Sequence, residues 1–188
     1  MPKLTAFIQV TLDGYFAATN GDISWAHKDR DDAEWNAFVA GNAKGGSRLV
    51  FGRVTYELMA NYWPTPLAVN NDPVIAEQMN NLPKVVFSRT LDNASWNNTK
   101  LVKGDIAAAI EKMKKEPGPD MAILGSGSII SQLAEQRLID KLQIVVNPLV
   151  LGKGRKLFDR LDATLALRLL KTRVFGNGNV MLCYAPVA

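Results

Sequence analysis

The chain has 188 residues, of which 47% are hydrophobic, and carries a formal net charge of +4. This length is sufficient to bury roughly 70% of the unfolded surface in one domain, and the single Cys183 excludes an intramolecular disulfide and a cysteine-only zinc site. Dispersed basic residues argue against nucleic acid as a partner, and without a signal-peptide pattern or a run of ~18 apolar residues we expect a cytoplasmic protein with no membrane partner.

The apolar pattern alternates between strand-like and helix-like segments along the chain. Residues 4–12 predict a first strand by their β-branched content, and turn residues follow it. A helix begins near Ala33, where aspartates form an acidic first turn, and its apolar spacing fades in the stretch 41–46. Further strands are predicted at residues 48–51, 84–88, 99–102, 121–124 and 141–147, and further helices at residues 54–61, 70–81, 106–115 and 128–136.

Breaking and capping residues divide these elements. Prolines in the stretch 63–66 end the helix over 54–61, because the residue before a proline avoids helical geometry. Asp105 caps the Ala-rich helix that follows it. The two closing apolar runs around residues 176–179 predict an antiparallel hairpin. The pattern predicts an α/β fold of three α/β/α layers in a single domain over residues 1–188, with a mostly parallel sheet and an antiparallel C-terminal edge.

Three of the predicted strands end at turns of small, hydroxyl-bearing or basic residues. The turns are residues 52–55, 88–90 and 125–128. Carboxyl ends of parallel strands share one edge, so the backbone N–H groups, hydroxyls and arginines of these turns converge there and suit phosphates. Each turn alone also fits an ordinary helix start or strand end, and residues 125–130 lack the final glycine of the dinucleotide fingerprint. The convergence of all three predicts a nucleotide site.

In their order and context, these three segments resemble the NADPH-binding segments of the dihydrofolate reductase superfamily. The similarity is to the branch that contains the C-terminal reductase domain of bifunctional riboflavin-biosynthesis proteins. Residues 12–15 and 147–154 are also similar to that branch, and the resemblance covers nearly the whole chain. It implies a dihydrofolate-reductase-like fold and an NADPH-dependent reductase acting on a small heterocyclic molecule, such as 5-amino-6-(5-phosphoribosylamino)uracil or a pterin.

The resemblance also assigns cofactor contacts residue by residue. It places Arg53 and Thr55 at the diphosphate, residues 88–90 at the ribose 2′-phosphate, and residues 125–129 along the diphosphate and the nicotinamide half. No metal is expected. The implied cofactor-binding residues are Gly52, Arg53, Val54, Thr55, Ser88, Arg89, Thr90, Gly125, Ser126, Gly127, Ser128 and Ile129.

The resemblance further points to a carboxylate at the start of the first helix as the catalytic residue. Asp31, Asp32 and Glu34 compete for this role, and Asp32 is favoured because Trp25 and Trp35 resemble the aromatic residues on either side of the family's acid. An acidic first turn also stabilises a helix dipole without any catalytic part. The segment before Asp32 lacks the proline pattern of folate reductases, so the substrate stays open.

Two smaller roles and two functional alternatives accompany this prediction. We interpret His27 as a surface histidine and Asp13 as a turn residue. A non-catalytic nucleotide-binding module on the same fold is the alternative function, whereas a phosphotransfer protein is disfavoured because the Walker lysine motif is missing.

The apolar residues at 174–184 predict a homodimer formed through the closing strands, since such residues seldom line a free sheet edge.

Overall fold

The computed structural model describes residues 1–27, 32–43, 45–159 and 161–187. Its strands are β1 (Leu4–Thr11), β2 (Tyr15–Ala17), β3 (Arg48–Gly52), β4 (Lys84–Phe87), β5 (Thr99–Val102), β6 (Met121–Leu124), β7 (Lys141–Asn147), β8 (Arg155–Lys156), β9 (Leu167–Val174) and β10 (Val180–Pro186). Its α-helices are α1 (Ala33–Ala43), α2 (Arg53–Tyr62), α3 (Pro66–Asn71), α4 (Pro73–Asn81), α5 (Ile106–Lys115) and α6 (Gly127–Glu135). A short 3₁₀ turn covers Ser24–Ala26.

Eight of the strands form one sheet in the order β5-β4-β3-β6-β1-β7-β10-β9. The strands from β5 to β7 run parallel, whereas β10 is antiparallel to β7 and β9 is antiparallel to β10. The α/β class, the mostly parallel sheet and the antiparallel C-terminal hairpin are therefore confirmed. A second, two-stranded ladder of β2 and β8 was not predicted, because it joins segments that are distant in sequence and very short.

The two faces of the sheet are covered differently. On one face a single apolar cluster joins β-strand residues such as Val50 and Ile123 to Ile110 of α5 and Ile130 of α6. Alternate strand residues point to the opposite face, where the cover consists of two separate clusters. One cluster packs α2 and α4 on β3 and β4, and the other packs α1 on β7 and β10. We call this second side the split face, and the two clusters part near β1 and β6.

Helix α1 is held on the split face by aromatic contacts. The rings of Trp35 and Phe38 on α1 lie 5.1 Å and 5.0 Å from the ring of Phe175, centroid to centroid. Phe175 and Met181 belong to the closing strands that the sequence predicted to form a dimer interface, but they are only 2% and 4% exposed because α1 covers them. The helix also continues through Gly41 and Asn42, beyond the end that the glycine-rich stretch predicted.

The predicted helix over residues 70–81 is wrong, since two helices occupy this region. Pro73 disfavours helical geometry in the residue before it, and Asp72 accordingly has φ −140° and ψ 64°. Helix α3 therefore ends before Asp72 and α4 begins after it. The prolines at 63–66 also start a helix as well as ending one, because Thr65 accepts a hydrogen bond from the Ala68 N–H and Pro66 takes the first helical position.

No helix in the described part of the chain is long and apolar enough to cross a membrane.

Helix α5 confirms the predicted capping. The Asp105 carboxylate accepts a hydrogen bond of 2.7 Å from the Ala108 N–H. Lysines 112, 114 and 115 lie in the last turn, where they face the negative end of the helix dipole. Local sequence therefore determines both ends of this helix.

Lys84 is an unusual core residue, since its side chain is buried without a carboxylate partner among the described residues. Its ammonium donates to the backbone oxygens of Asn80, Leu82 and Asn97 at 3.0, 2.7 and 2.9 Å, and lies 4.5 Å from the centroid of the Trp96 ring. Burial lowers the pKa of Lys84 to about 8. The lysine thus joins the end of α4 to the segment before β5.

This burial predicts a pH dependence of stability. Between the folded pKa of about 8 and the ordinary value of roughly 10.4, the unfolded chain binds more protons at this group than the folded chain. The free energy of unfolding should therefore rise with pH across this window, by up to about 3 kcal/mol from Lys84 alone. Urea unfolding of the wild type and Lys84→Met at several pH values checks this, and parallel pH profiles for the two proteins would contradict it.

Candidate functional site

The three turns singled out from the sequence lie side by side at the carboxyl edge of the sheet. Gly52 at the end of β3 pairs with Phe87 at the end of β4. Strands β3 and β6 pair in parallel with Val50 opposite Ile123. Two residues further along each strand, Gly52 therefore lies level with Gly125. Helix α2 leaves β3 on the split face, whereas α6 leaves β6 on the opposite face. Neighbouring connections that leave on opposite faces open a crevice at the strand ends, where ligands of α/β proteins bind.

The first and third turns are in direct contact. The Gly52 N–H donates a 2.8 Å hydrogen bond to Ser126 Oγ. A Cβ atom on Gly52 would lie 3.2 Å from Ile129 Cγ1 and 3.3 Å from Ser126 Oγ, so a larger residue would require these two side chains to shift by a few tenths of an ångström. Ser126 itself adopts the left-handed conformation, with φ 55° and ψ 60°. Such a conformation is strained for a residue with a side chain, and here it presents the hydroxyl to Gly52.

The Ser126 contact gives a prediction for stability. Ser126→Ala removes the acceptor of the partly buried Gly52 N–H, and the loss of such a hydrogen bond costs about 1 kcal/mol in the free energy of unfolding. Urea denaturation should show this loss, while Ser128→Ala, an exposed serine two residues later in the same turn, should leave stability within about 0.5 kcal/mol of the wild type. Equal midpoints for both variants would contradict the role of Ser126.

The helix starts at this edge leave backbone donors available. Ser126 and Gly52 occupy the N-cap positions of α6 and α2, and neither makes a side-chain capping bond. The first N–H groups of a helix then need another acceptor, and together with the helix dipole they form an anion site. Helices α3 and α5 have side-chain caps, whereas the N-cap Asp72 of α4 makes no side-chain capping bond.

The side chains of the first and second turns differ in how they are engaged. Arg53 pairs with Glu57 one turn later at 2.9 Å, and both side chains are exposed. Ser88 Oγ accepts hydrogen bonds from the N–H groups of Thr90 and Leu91 at 3.2 and 3.0 Å, so this hydroxyl shapes the second turn. Arg89 is exposed and has no acidic partner within ion-pair distance in the described ranges.

The remaining predicted cofactor residues divide into exposed and buried positions. Val54 and Ser128 are exposed, whereas Gly127 and Ile129 are buried beneath the third turn. Gly127 lies against the Phe16 ring of β2, because a Cβ atom there would come within 2.5 Å of that ring. Thr55 lies beside Gly125, where a Cβ would be 3.6 Å from Thr55 Cγ2. The segment around β2 thus forms one wall of the third turn.

Asp13 anchors the wall formed by β2 and β8. Its carboxylate accepts hydrogen bonds from the N–H groups of Leu151 and Gly152 at 3.2 and 2.8 Å. The Thr11 hydroxyl donates to it at 2.6 Å. The Thr11 bond and these two N–H groups outweigh desolvation and hold the pKa of Asp13 below its usual range. Sequence reasoning placed Asp13 in a local turn, but its main backbone partners lie 138 and 139 residues away.

Asp32 lies at the start of α1, where the structure shows two hydrogen bonds to it. Oδ1 accepts from the Trp35 N–H at 2.9 Å, and Oδ2 accepts from Asn177 Nδ2 at 2.6 Å. Asp32 therefore caps α1 and connects it to the β9–β10 turn. Of the two alternative acids, Asp31 lies outside the described residues.

The neighbouring Glu34 reinforces the same connection. Its carboxylate accepts from the Gly176 N–H at 3.0 Å and from Arg173 at 3.1 Å, and these two partners hold its pKa below the usual range despite desolvation. The indole N–H of Trp25 is buried and has no partner among the described residues. His27 is exposed, as the sequence indicated. The acidic first turn is thus bound to the C-terminal hairpin.

Sequence reasoning missed two buried amides beside this turn. Asn147 and Asn179 are both 0% exposed. Asn179 lies opposite Asn147, one register position beyond the antiparallel Val180–Val146 pair. The sequence signal that could have indicated Asn147 is its position as a polar residue at the end of the otherwise largely apolar strand β7. Among the described residues no three His, Cys, Asp or Glu side chains gather as metal ligands.

A family model decides the classification. The model described as the RibD C-terminal domain matches residues 2–181. The chain belongs to the RibD C-terminal domain family. This confirms the branch of the dihydrofolate reductase superfamily to which the three turns were compared.

A curated relative and two solved structures are also similar to this chain. The uncharacterized protein YyaP of Bacillus subtilis (strain 168) is 28% identical over 177 residues, which cover 94% of this chain and 91% of YyaP. A candidate riboflavin biosynthesis protein from Shewanella sp. PV-4 superposes with a TM-score of 0.76 at 23% identity, covering 99% of both chains. Enterococcus faecalis dihydrofolate reductase, solved with NADP(H), gives a TM-score of 0.62 at 16% identity over 99% of this chain and 97% of its own. These two structures show a shared fold.

Proposed function

We propose that this chain is a single-domain, cytoplasmic, NADPH-dependent reductase that transfers hydride to a small ribosylaminopyrimidine-like or pterin-like substrate. The observation that carries the proposal is the crevice itself. Three turns meet on one level, and the two helices that start there lack side-chain caps. Membership in the RibD C-terminal domain family supports the same chemistry, and the dihydrofolate reductase of the same fold binds NADP(H).

The residues present fit such a cofactor. The free N–H groups of α2 and α6, with the Thr55 hydroxyl, would hold the diphosphate. Arg53 would join them after exchanging Glu57 for a phosphate. Arg89 and the second turn would hold the ribose 2′-phosphate, because a guanidinium without an acidic partner among the described residues suits a phosphate monoester. Bound NADPH supplies the hydride, and the chain supplies position and electrostatics.

Asp32 is the proposed acidic group on the substrate side. It lies at the carboxyl edge of the sheet, at the start of the helix that covers β7 and β10 on the split face. Its carboxylate would stabilise the protonated form of the substrate as hydride arrives at the neighbouring carbon. The two hydrogen bonds to Asp32 fix the orientation of the carboxylate.

A non-catalytic nucleotide-binding module is the second candidate. Both Asp32 oxygens already serve structural bonds, so the capping role alone accounts for this residue. Both candidates predict NADPH binding, and they differ only in turnover.

The experiment has two steps. NADPH is first titrated against the intrinsic tryptophan fluorescence, and quenching reports binding to the protein. The loss of NADPH absorbance is then followed with 5-amino-6-(5-phosphoribosylamino)uracil and with dihydrofolate. Binding with turnover of either compound supports the reductase, and binding without turnover of a broader set of pteridines and pyrimidines supports the module. No quenching by NADPH at millimolar concentration would contradict both.

A homodimer is also expected. Strand β9 forms the edge of the sheet, and it exposes the apolar side chains of Leu169, Leu170 and Val174 at 50%, 45% and 71%. Edge strands with exposed apolar residues pair readily with another chain. Sedimentation at micromolar concentration should give twice the 20.6 kDa mass of one chain, and Leu169→Arg should shift it to the monomer. Leu67→Arg is the control, because Leu67 is a 60% exposed residue of α3 outside the sheet. A monomeric wild type would refute the dimer.

A further inference from the structure

Gln9 is a polar residue at the centre of the sheet, on the split face. It lies on β1 between β6 and β7, level with Val145. Two residues earlier, Phe7 accepts a hydrogen bond from the Gly125 N–H, so Gln9 lies immediately beside the third turn. Phe7 packs toward α1 and Leu124 packs toward α2, and the two apolar clusters of this face therefore part beside Gln9. The side chain is partly exposed.

A buried neighbour determines how the Gln9 amide is oriented. Asn147 Nδ2 lies 3.2 Å from the backbone oxygen of Val10 and 3.5 Å from that of Val145. Backbone oxygens only accept, so this atom of Asn147 is the amide nitrogen. The same nitrogen lies 3.3 Å from the Gln9 side chain, which must present its oxygen, Oε1. The Gln9 Nε2 group is then left with two N–H donors and no partner in the described part of the chain.

We infer that Gln9 is a substrate-recognition residue whose Nε2 amide donates to a hydrogen-bond acceptor of the substrate, a ring carbonyl or ring nitrogen, and that Asn147 orients this donor. The inference rests on the proposed function, because it places the substrate in the crevice beside the third turn. A donor fixed in direction selects for an acceptor edge, since a bound molecule without one would leave the amide unpaired. Lactam heterocycles such as uracils and pterins present such an edge.

An isosteric substitution separates this role from a structural one. Gln9→Glu keeps an oxygen that accepts from Asn147 Nδ2 but replaces the Nε2 donors by a second oxygen. Gln9→Leu removes both functions. Gln143→Glu is the matched control, because Gln143 lies on the same face of neighbouring β7 toward its amino end, where its Nε2 is 3.5 Å from Asn42 Oδ1. Thermal unfolding establishes that each variant is folded.

The probe is 5-amino-6-(5-phosphoribosylamino)uracil, and its affinity is measured by calorimetry with and without saturating NADP⁺. Gln9→Glu and Gln9→Leu should both weaken probe binding by roughly 10-fold to 100-fold, the range expected when a hydrogen bond in a partly buried site is lost. Gln143→Glu should leave probe affinity unchanged. NADPH affinity should be the same in all four proteins.

Four results would overturn the assignment. The first two are an affinity of Gln9→Glu for the probe equal to that of the wild type, and a loss of probe affinity in Gln143→Glu as large as that in Gln9→Glu. The third is a loss of NADPH affinity in Gln9→Glu, which would mean that the amide donates to the cofactor. The fourth is no binding of the probe by the wild type. If the wild type binds the probe but not NADPH, the proposed function fails while the comparison of Gln9→Glu with the wild type still decides the role of Gln9.

Discussion

Replacing Arg89 with alanine is expected to weaken NADPH binding by about 1.5–3 kcal/mol, which corresponds to roughly 10-fold to 150-fold in Kd. Arg89 follows β4 at the carboxyl edge, it is exposed, and no carboxylate lies within ion-pair distance of it in the described ranges. Its guanidinium is therefore available for the ribose 2′-phosphate, the group that distinguishes NADPH from NADH. NADH binding should be unchanged in the variant.

Arg53→Ala provides the contrast for this measurement. Arg53 lies at the start of α2, next to the proposed diphosphate, and is paired with Glu57. Its loss should weaken NADPH and NADH to a similar and smaller extent, because both cofactors contain the diphosphate and the ion pair already engages the guanidinium. Fluorescence titration of both cofactors against the three proteins checks this. Equal affinity of the wild type for NADPH and NADH would refute the assignment of Arg89.

The fold was predictable where local rules act without competition. The Asp105 cap, the lysines that close α5 and the parallel strands that end at small residues all depend on neighbours in sequence, and the structure has them. The sequence also predicted that the three turns lie level with one another, because parallel strands of similar length end at one edge of a sheet. The division at Asp72 was missed because the apolar spacing of residues 70–81 outweighed the single proline.

The contacts that build the site depend on residues far apart in sequence. The Gly52 N–H meets a serine hydroxyl 74 residues away, and the Asp13 carboxylate holds a loop more than 130 residues away. No periodicity or spacing encodes such pairs. The connection of Asp32 to Asn177 is of the same kind. From the sequence alone Asp32 was one of three acids in a helix start, and its contact with the hairpin turn that folds back onto α1 is seen only in the structure.

Asp32→Asn is expected to reduce turnover by roughly 10²–10⁴ with NADPH affinity unchanged, the usual range for a group in general acid–base catalysis. The substitution removes the charge but keeps one oxygen. Asparagine is as good an N-cap as aspartate, so the bond to the Trp35 N–H survives. The second oxygen becomes an amide nitrogen facing Asn177 Nδ2, and losing that bond should lower the free energy of unfolding by about 1 kcal/mol.

Glu34→Gln is the control that separates turnover from stability. Glu34 lies two residues from Asp32 on the same helix start and holds the same hairpin through Gly176 and Arg173. Its substitution should cost a similar amount of stability and leave turnover within about threefold, because only the hairpin contact is weakened. If Asp32→Asn and Glu34→Gln lose the same small fraction of turnover, Asp32 acts as a helix cap alone, and water or His27 becomes the next candidate for the proton donor.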